Sequence, residues 1–283
     1  MTKKNSPLLR AACLAAALLM ALSGTAAAGN PFKSSRGSCD FIAGTTVIVT
    51  IFVDDPYHRW DFDRRADSES AQRVLGRLET ACKWLTKQVK RYGATATFRR
   101  NWEKEPMLCY RFASAKDMRD YANTYAELRD FITQTVPLQT IKDHFGADNV
   151  LFMALYNQNR NDSARGESFM LDFWEYAYLE DAYEIMWVMD EDNGMTVSAA
   201  GLAHEIMHCF GAVDLYAASE YCTQKYVNHL RSIRSDDIMY SIDYSDPDHI
   251  GESFSDLDAY YLGLVDSCGD QQKYGLHRSS FSK

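Results

Sequence analysis

The chain has 283 residues, 46% hydrophobic and 24% charged, with only six prolines and fifteen glycines. That composition excludes a disordered, collagenous or low-complexity protein and provides for a sizeable core. Formal net charge is −9, and the first 28 residues hold Lys3, Lys4 and Arg10 but no acid, so the remainder has 27 Lys and Arg against 39 Asp and Glu, a net −12. Such a surface repels phosphate backbones and anionic headgroups, which disfavours nucleic-acid and membrane-surface partners.

Residues 1–28 read as an export signal. The basic start leads into an apolar run from Ala11 to Leu22, then Ser23-Gly24 and the small triplet Ala26-Ala27-Ala28, with cleavage expected after Ala28. Twelve apolar residues are too few to span a bilayer, so no membrane anchor is expected, and the mature protein is expected to be secreted or periplasmic. Residues 29–44 read as a loose leader.

The β-branched run Thr45–Val53 predicts a central strand, ended by Asp54-Asp55-Pro56. Apolar residues at helical spacing (Val74, Leu75, Leu78, Ala81, Cys82, Leu85, Val89) predict a helix over 68–91, closed by Gly93. A short strand is expected at 95–98, a second helix at 115–136 and a buried strand at 149–156. A polar loop at 157–166 precedes an exposed edge strand at 167–173, a further strand at 182–189 and a helix at 198–210. After Gly211 the pattern turns irregular until a helix at 254–264. Alternating strands and helices followed by an irregular part predict an α+β or α/β upper lobe (45–211) over a small lower lobe (212–283).

Cys13 leaves with the signal. The remaining six, Cys39, Cys82, Cys109, Cys209, Cys222 and Cys268, predict three disulfides in an exported chain, with 15 pairings left open. The absence of a CxxC argues against a cysteine zinc site.

The chemistry concentrates at Ala203-His204-Glu205-Ile206-Met207-His208-Cys209-Phe210-Gly211-Ala212-Val213-Asp214. Histidines at i and i+4 lie about 40° apart on a helix, so both imidazoles project toward one ion. Leu202, Ile206 and Phe210 fall on the opposite side, while Glu205 sits about 100° from His204, placed for a base rather than a ligand. Cys209 falls nearer the apolar face and is rejected as a ligand. His-Glu-x-x-His arises by chance in roughly one chain in a hundred of this size. The flanking residues sharpen the signal, because Gly211 can stop the helix with positive φ and let Asp214 return as a third ligand. Two imidazoles, one carboxylate and a water make the open four-coordinate arrangement of catalytic zinc.

His204-Glu-x-x-His208-x-x-Gly211-x-x-Asp214 resembles the extended zinc motif of the metzincin metallopeptidases, in the variant with aspartate as third ligand found in snapalysin-type enzymes. Ser235-Asp236-Asp237-Ile238-Met239-Tyr240 resembles the Met-turn of that clan, with Met239 in the place of its methionine. The resemblance implies a mixed sheet with two long helices, the second carrying the motif, and a small lower lobe ending in a helix. It implies one Zn2+ per chain on His204, His208 and Asp214, with Glu205 as general base. Two departures stand out. Most of the clan has histidine at the position of Asp214, and a tyrosine found two residues after the methionine in some relatives is replaced by Ser241, with Tyr240 and Tyr244 nearby as candidates for transition-state assistance.

The resulting expectation is a monomeric, exported zinc endopeptidase acting on proteins or peptides. A zinc-dependent binding protein without catalysis and a zinc hydrolase of non-peptide amides or esters are the alternatives. Calcium at 190–194 or 243–248 is a lesser reading, since neither stretch has EF-hand spacing. His58, His144, His229, His249 and His277 are isolated and read as surface or loop histidines. Cys39 could in principle silence the zinc from the leader, but a disulfide is the favoured role.

Overall fold

A computed structural model describes residues 38–116, 121–157, 169–171, 183–192 and 195–278. The expected export signal, most of the leader and most of the loop at 157–166 lie outside the described residues. Among the described residues no helix is long and apolar enough to cross a membrane.

In chain order the elements are β1 (Gly44–Asp54), α1 (Arg65–Arg91), β2 (Ala96–Arg99), β3 (Cys109–Ala113), α2 (Tyr121–Thr135), α3 (Leu138–Phe145) and β4 (Asn149–Tyr156). There follow β5 (Phe169–Leu171), β6 (Ile185–Met189), the hairpin β7 (Glu191–Asp192) and β8 (Met195–Thr196), and α4 (Ala199–His208). The chain closes with α5 (Gln224–Ile233), α6 (Asp256–Tyr261) and α7 (Gly269–Tyr274). The main sheet has the order β2-β1-β4-β6-β5. Strand β3 extends the β2 edge, because β2 pairs with Gly44–Val47 of β1 and β3 with Thr50–Asp54. All these pairings are parallel except β5 with β6, which is antiparallel. The protein is therefore α+β, its main sheet having five parallel strands and one antiparallel edge strand among the described residues.

The central strands are legible because they are buried on both faces. Every residue of β4 and every residue of β1 from Thr46 to Val53 is buried, so neither shows polar alternation. Helix α1 buries Val74, Leu75, Leu78, Ala81, Cys82, Leu85 and Val89, the stripe expected from its spacing. Full burial of each leucine or valine contributes roughly 1.5–3 kcal/mol before entropy is charged against it. This helix packs against α4, which carries the His-Glu-x-x-His stretch. The Arg77 side chain of α1 donates to the Val197 carbonyl at 2.9 Å and pairs with Asp248 at 2.8 Å, fixing the entry to α4. There the Ser198 hydroxyl caps the helix by accepting from Gly201 N–H at 2.9 Å.

The structure departs from the sequence expectations at several points. Residues 115 and 116 are not helical, residues 117–120 lie outside the described residues and helix α2 is described from Tyr121, while the motif helix is only ten residues long. Strand β3 and helices α3, α5 and α7 were not expected. Helix α5 lies in the stretch expected to be irregular; it buries only Tyr226, Val227 and Leu230, a stripe outnumbered by polar residues. His58 is not a surface histidine. It is 1% exposed, and its Nδ1 lies 2.9 and 3.0 Å from the two oxygens of Asp55, so the acid that ends β1 holds the ring inside.

The six cysteines are free thiols, so the three expected disulfides are absent from the structure. Two sulfurs instead donate to backbone carbonyls: Cys39 Sγ to Val150 and Cys209 Sγ to Glu205, each at 3.4 Å. Burial pushes the Cys82 thiol up to about 12 and the Cys222 thiol up to about 11. At a pH of roughly 8 neither forms appreciable thiolate, the reactive species. Alkylation of the native protein is expected to spare both, and denaturation to expose them. Labelling of Cys82 at the same rate before and after denaturation would contradict its burial.

Candidate metal centre

Helix α4 begins where β6 and the β7–β8 hairpin deliver the chain, and it ends in a glycine-dependent reversal. Gly211 has φ +97°, Gly211 N–H donates to the His208 carbonyl at 2.9 Å, and Ala212 N–H donates to the Met207 carbonyl at 3.1 Å. These two bonds are a Schellman motif, which needs a residue free to adopt positive φ. The reversal brings Asp214 back over the helix.

His204 Nε2, His208 Nε2 and Asp214 Oδ1 converge there. The two nitrogens are 3.0 Å apart, and each is 3.2 Å from the carboxylate oxygen. Among the described residues this is the one group of three such side chains placed to hold a metal ion. His204 Nδ1 lies 3.0 Å from the Ile238 carbonyl and His208 Nδ1 lies 2.9 Å from the Ala212 carbonyl. A carbonyl only accepts, so each Nδ1 carries a proton, and each ring when neutral presents a bare lone pair at Nε2. Two lone pairs and a carboxylate oxygen facing one point repel one another unless a cation lies between them. Asp214 Oδ1 also accepts no hydrogen bond. Tetrahedral zinc with bonds of roughly 2.0–2.2 Å separates its ligand atoms by about 3.3 Å, close to the spacing found, so the three residues fit that ion. Carbonyl partners on the outer ring nitrogens are the usual means of fixing ligand orientation.

Without a metal, burial works to raise the Asp214 carboxyl, but the two imidazoles beside it, once protonated at Nε2, outweigh burial and hold it well below the usual carboxylate range. Its other oxygen, Oδ2, accepts from the Tyr216 hydroxyl at 2.9 Å. Glu205 is 8% exposed and adjoins His204 on the same helix. Leu202, Ile206, Cys209 and Phe210 are fully buried, which places Cys209 in the core as its wheel position implied.

Met239 is fully buried within a turn that is tied to both ends of the cluster. The Ile238 carbonyl holds His204, and the Met239 carbonyl accepts Leu215 N–H at 2.9 Å, next to Asp214. Asp237 shapes the turn: its carboxylate accepts Met239 N–H at 2.8 Å and its carbonyl accepts Tyr240 and Ser241 N–H at 2.9 Å. The other tyrosines singled out in the sequence sit differently. Tyr240 packs against the core and Tyr244 is exposed, whereas the hydroxyl that reaches the cluster belongs to Tyr216, which the motif did not flag. Cys39 is bonded at the start of β4 and is not a member of the cluster. Of the other histidines, His229 is stacked on Tyr274, and His144, His249 and His277 are exposed. The calcium candidates Asp243, Asp246 and Asp248 serve turns and the Arg77 ion pair, and residues 193–194 lie outside the described residues.

Beneath the turn, burial pushes Asp237 up to about 6, and burial together with the neighbouring Asp237 pushes Asp258 of α6 well above the usual range. Carboxyls whose folded pKa exceeds the unfolded value of about 3.9 stabilise fully below that value and lose the contribution as pH rises through the folded value. The pair is thus expected to lower the melting temperature of the metal-free protein between pH of about 4 and 7, and Asp258→Asn to flatten that slope. Asp214 acts with the opposite sign, and only as pH falls below about 4, so it does not obscure this window. Equal slopes for the variant and the parent would show that the pair is not the source.

No protein-family model matches the chain, and no curated protein matches it. A solved structure described as a chaperone-substrate complex shares 14% identity with it at a TM-score of 0.30, over 64% of this chain and 26% of that one. A likeness at that score carries no argument about fold or function.

Proposed function

We propose that the protein is an exported zinc-dependent endopeptidase with a metzincin-like catalytic domain. The observation that carries this reading is the convergence of His204, His208 and Asp214 on one point, with a glutamate directly after the first histidine. Three further features support it: the Schellman reversal at Gly211, the turn at Met239 bonded to both sides of the cluster, and the antiparallel edge strand β5. The signal-like residues 1–28 support export.

His204, His208 and Asp214 would hold the ion. Zinc bound there supplies Lewis acidity, enough to make water nucleophilic near neutral pH. Glu205 accepts the proton of the attacking water and returns it to the leaving amine. Two neutral imidazoles and one carboxylate would give the ligand set a single negative charge, so a divalent ion held there would keep part of its charge for polarising a carbonyl. An extended substrate would add to the sheet at β5, whose outer edge has no strand beyond it among the described residues.

Glu205 also separates this reading from a zinc-dependent binding protein, since ligation alone has no use for it. The test is digestion of a denatured mixed-protein substrate with and without chelator, together with elemental analysis of protein purified without chelator. About one zinc per chain and chelator-sensitive cleavage are expected. Protein without a stoichiometric transition metal would overturn the proposal. A zinc-loaded protein that cleaves esters but no peptides would replace it.

A further inference from the structure

We infer that Tyr216 is a positioning residue for the metal centre, selecting which oxygen of Asp214 serves as the ligand. The inference rests on the proposed metal site and adds to it a residue outside the motif. Asp214 sits after the helix has ended, on irregular backbone, and a carboxylate there can present either oxygen, or both, by rotation about its last bond. The structure shows one choice. Tyr216 Oη donates to Oδ2 at 2.9 Å, and Oδ1 is left facing both Nε2 atoms at 3.2 Å. Between the two residues, Leu215 N–H is bonded to the Met239 carbonyl, so the backbone that carries both side chains is fixed.

The imidazoles are oriented by the main-chain carbonyls of Ile238 and Ala212. Asp214 is oriented by a side chain, and this makes the outer contact open to substitution. A hydrogen bond to Oδ2 also draws charge from the carboxylate, tempering the ligand that reduces the site's net positive charge. Tyr216 is 52% exposed, so deleting its hydroxyl does not disturb the core.

The experiment compares full-length parent and Tyr216→Phe protein by zinc titration against a chromophoric chelator, and by the visible spectrum of each loaded with cobalt(II). The expected result is zinc held about 10–100-fold more weakly by the variant, the usual loss when an outer partner of a metal ligand is removed. The cobalt spectrum should weaken in intensity, as it does when a second carboxylate oxygen joins the coordination. Both changes should appear with the metal-free melting temperature unaltered, which a merely structural role would not allow. Equal zinc affinity and an unchanged cobalt spectrum would overturn the assignment while leaving the metal site standing. A parent protein that binds no zinc would overturn the proposed function, and this inference with it.

Discussion

Glu205→Ala is expected to keep its zinc and lose nearly all turnover. The carboxylate is not one of the three converging groups, so removing it leaves His204 Nε2, His208 Nε2 and Asp214 Oδ1 as they are. Its helix is anchored by Leu202, Ile206 and Phe210, all fully buried, and by the Ser198 cap, none of which involves the Glu205 side chain. The fold should therefore survive, and the change should act on proton movement alone. General acid–base groups contribute typically 10²–10⁴-fold, and the loss here should lie at the upper end because, in the proposed mechanism, one residue would serve the water in one step and the leaving amine in the next. Zinc content and the rate on a quenched peptide pool must be measured on the same preparation. Full zinc occupancy with undiminished hydrolysis would remove Glu205 from the mechanism.

How much of this could be read from the sequence differs by element, for physical reasons. The buried strand at 149–156 was legible to the residue, since a strand covered on both faces is one unbroken apolar run. Helix α1 was legible because seven core residues repeat at helical spacing along it. Helix α7 buries nothing, so no periodicity marks it, and α3 buries only Ile141. Each of these short helices ends at a glycine in left-handed conformation, Gly275 and Gly146, which was the available clue. Strand β3 was hidden because none of its five residues is fully buried. At the site, the motif named the three converging residues because helical geometry fixes i and i+4, and because a glycine three residues on has few uses other than a reversal. Tyr216 was not legible: its contact with Asp214 depends on the course of an irregular loop, which no periodicity encodes. The disulfide expectation failed differently, since an even count of cysteines says nothing about whether their sulfurs meet.

Asp214→Ala is expected to weaken zinc binding severely and to abolish hydrolysis. Removing an outer partner of a metal ligand loses roughly 10–100-fold in affinity, so loss of a ligand itself should exceed about 100-fold. The two histidines remain oriented by the Ile238 and Ala212 carbonyls, but two neutral imidazoles alone leave the site without its negative charge. Tyr216 then has no carboxylate to hold and cannot compensate, as its hydroxyl is bonded to Asp214 Oδ2. His229→Ala and His249→Ala serve as controls: one ring is stacked on Tyr274 and the other is exposed, and neither belongs to the cluster. Both should keep the metal and the activity. The comparison decides the third ligand by elimination, with elemental analysis after exhaustive dialysis as the primary readout and peptide hydrolysis as the second. Should Asp214→Ala retain stoichiometric zinc while either histidine variant loses it, the aspartate would not be the third ligand, and the Gly211 reversal would need another purpose.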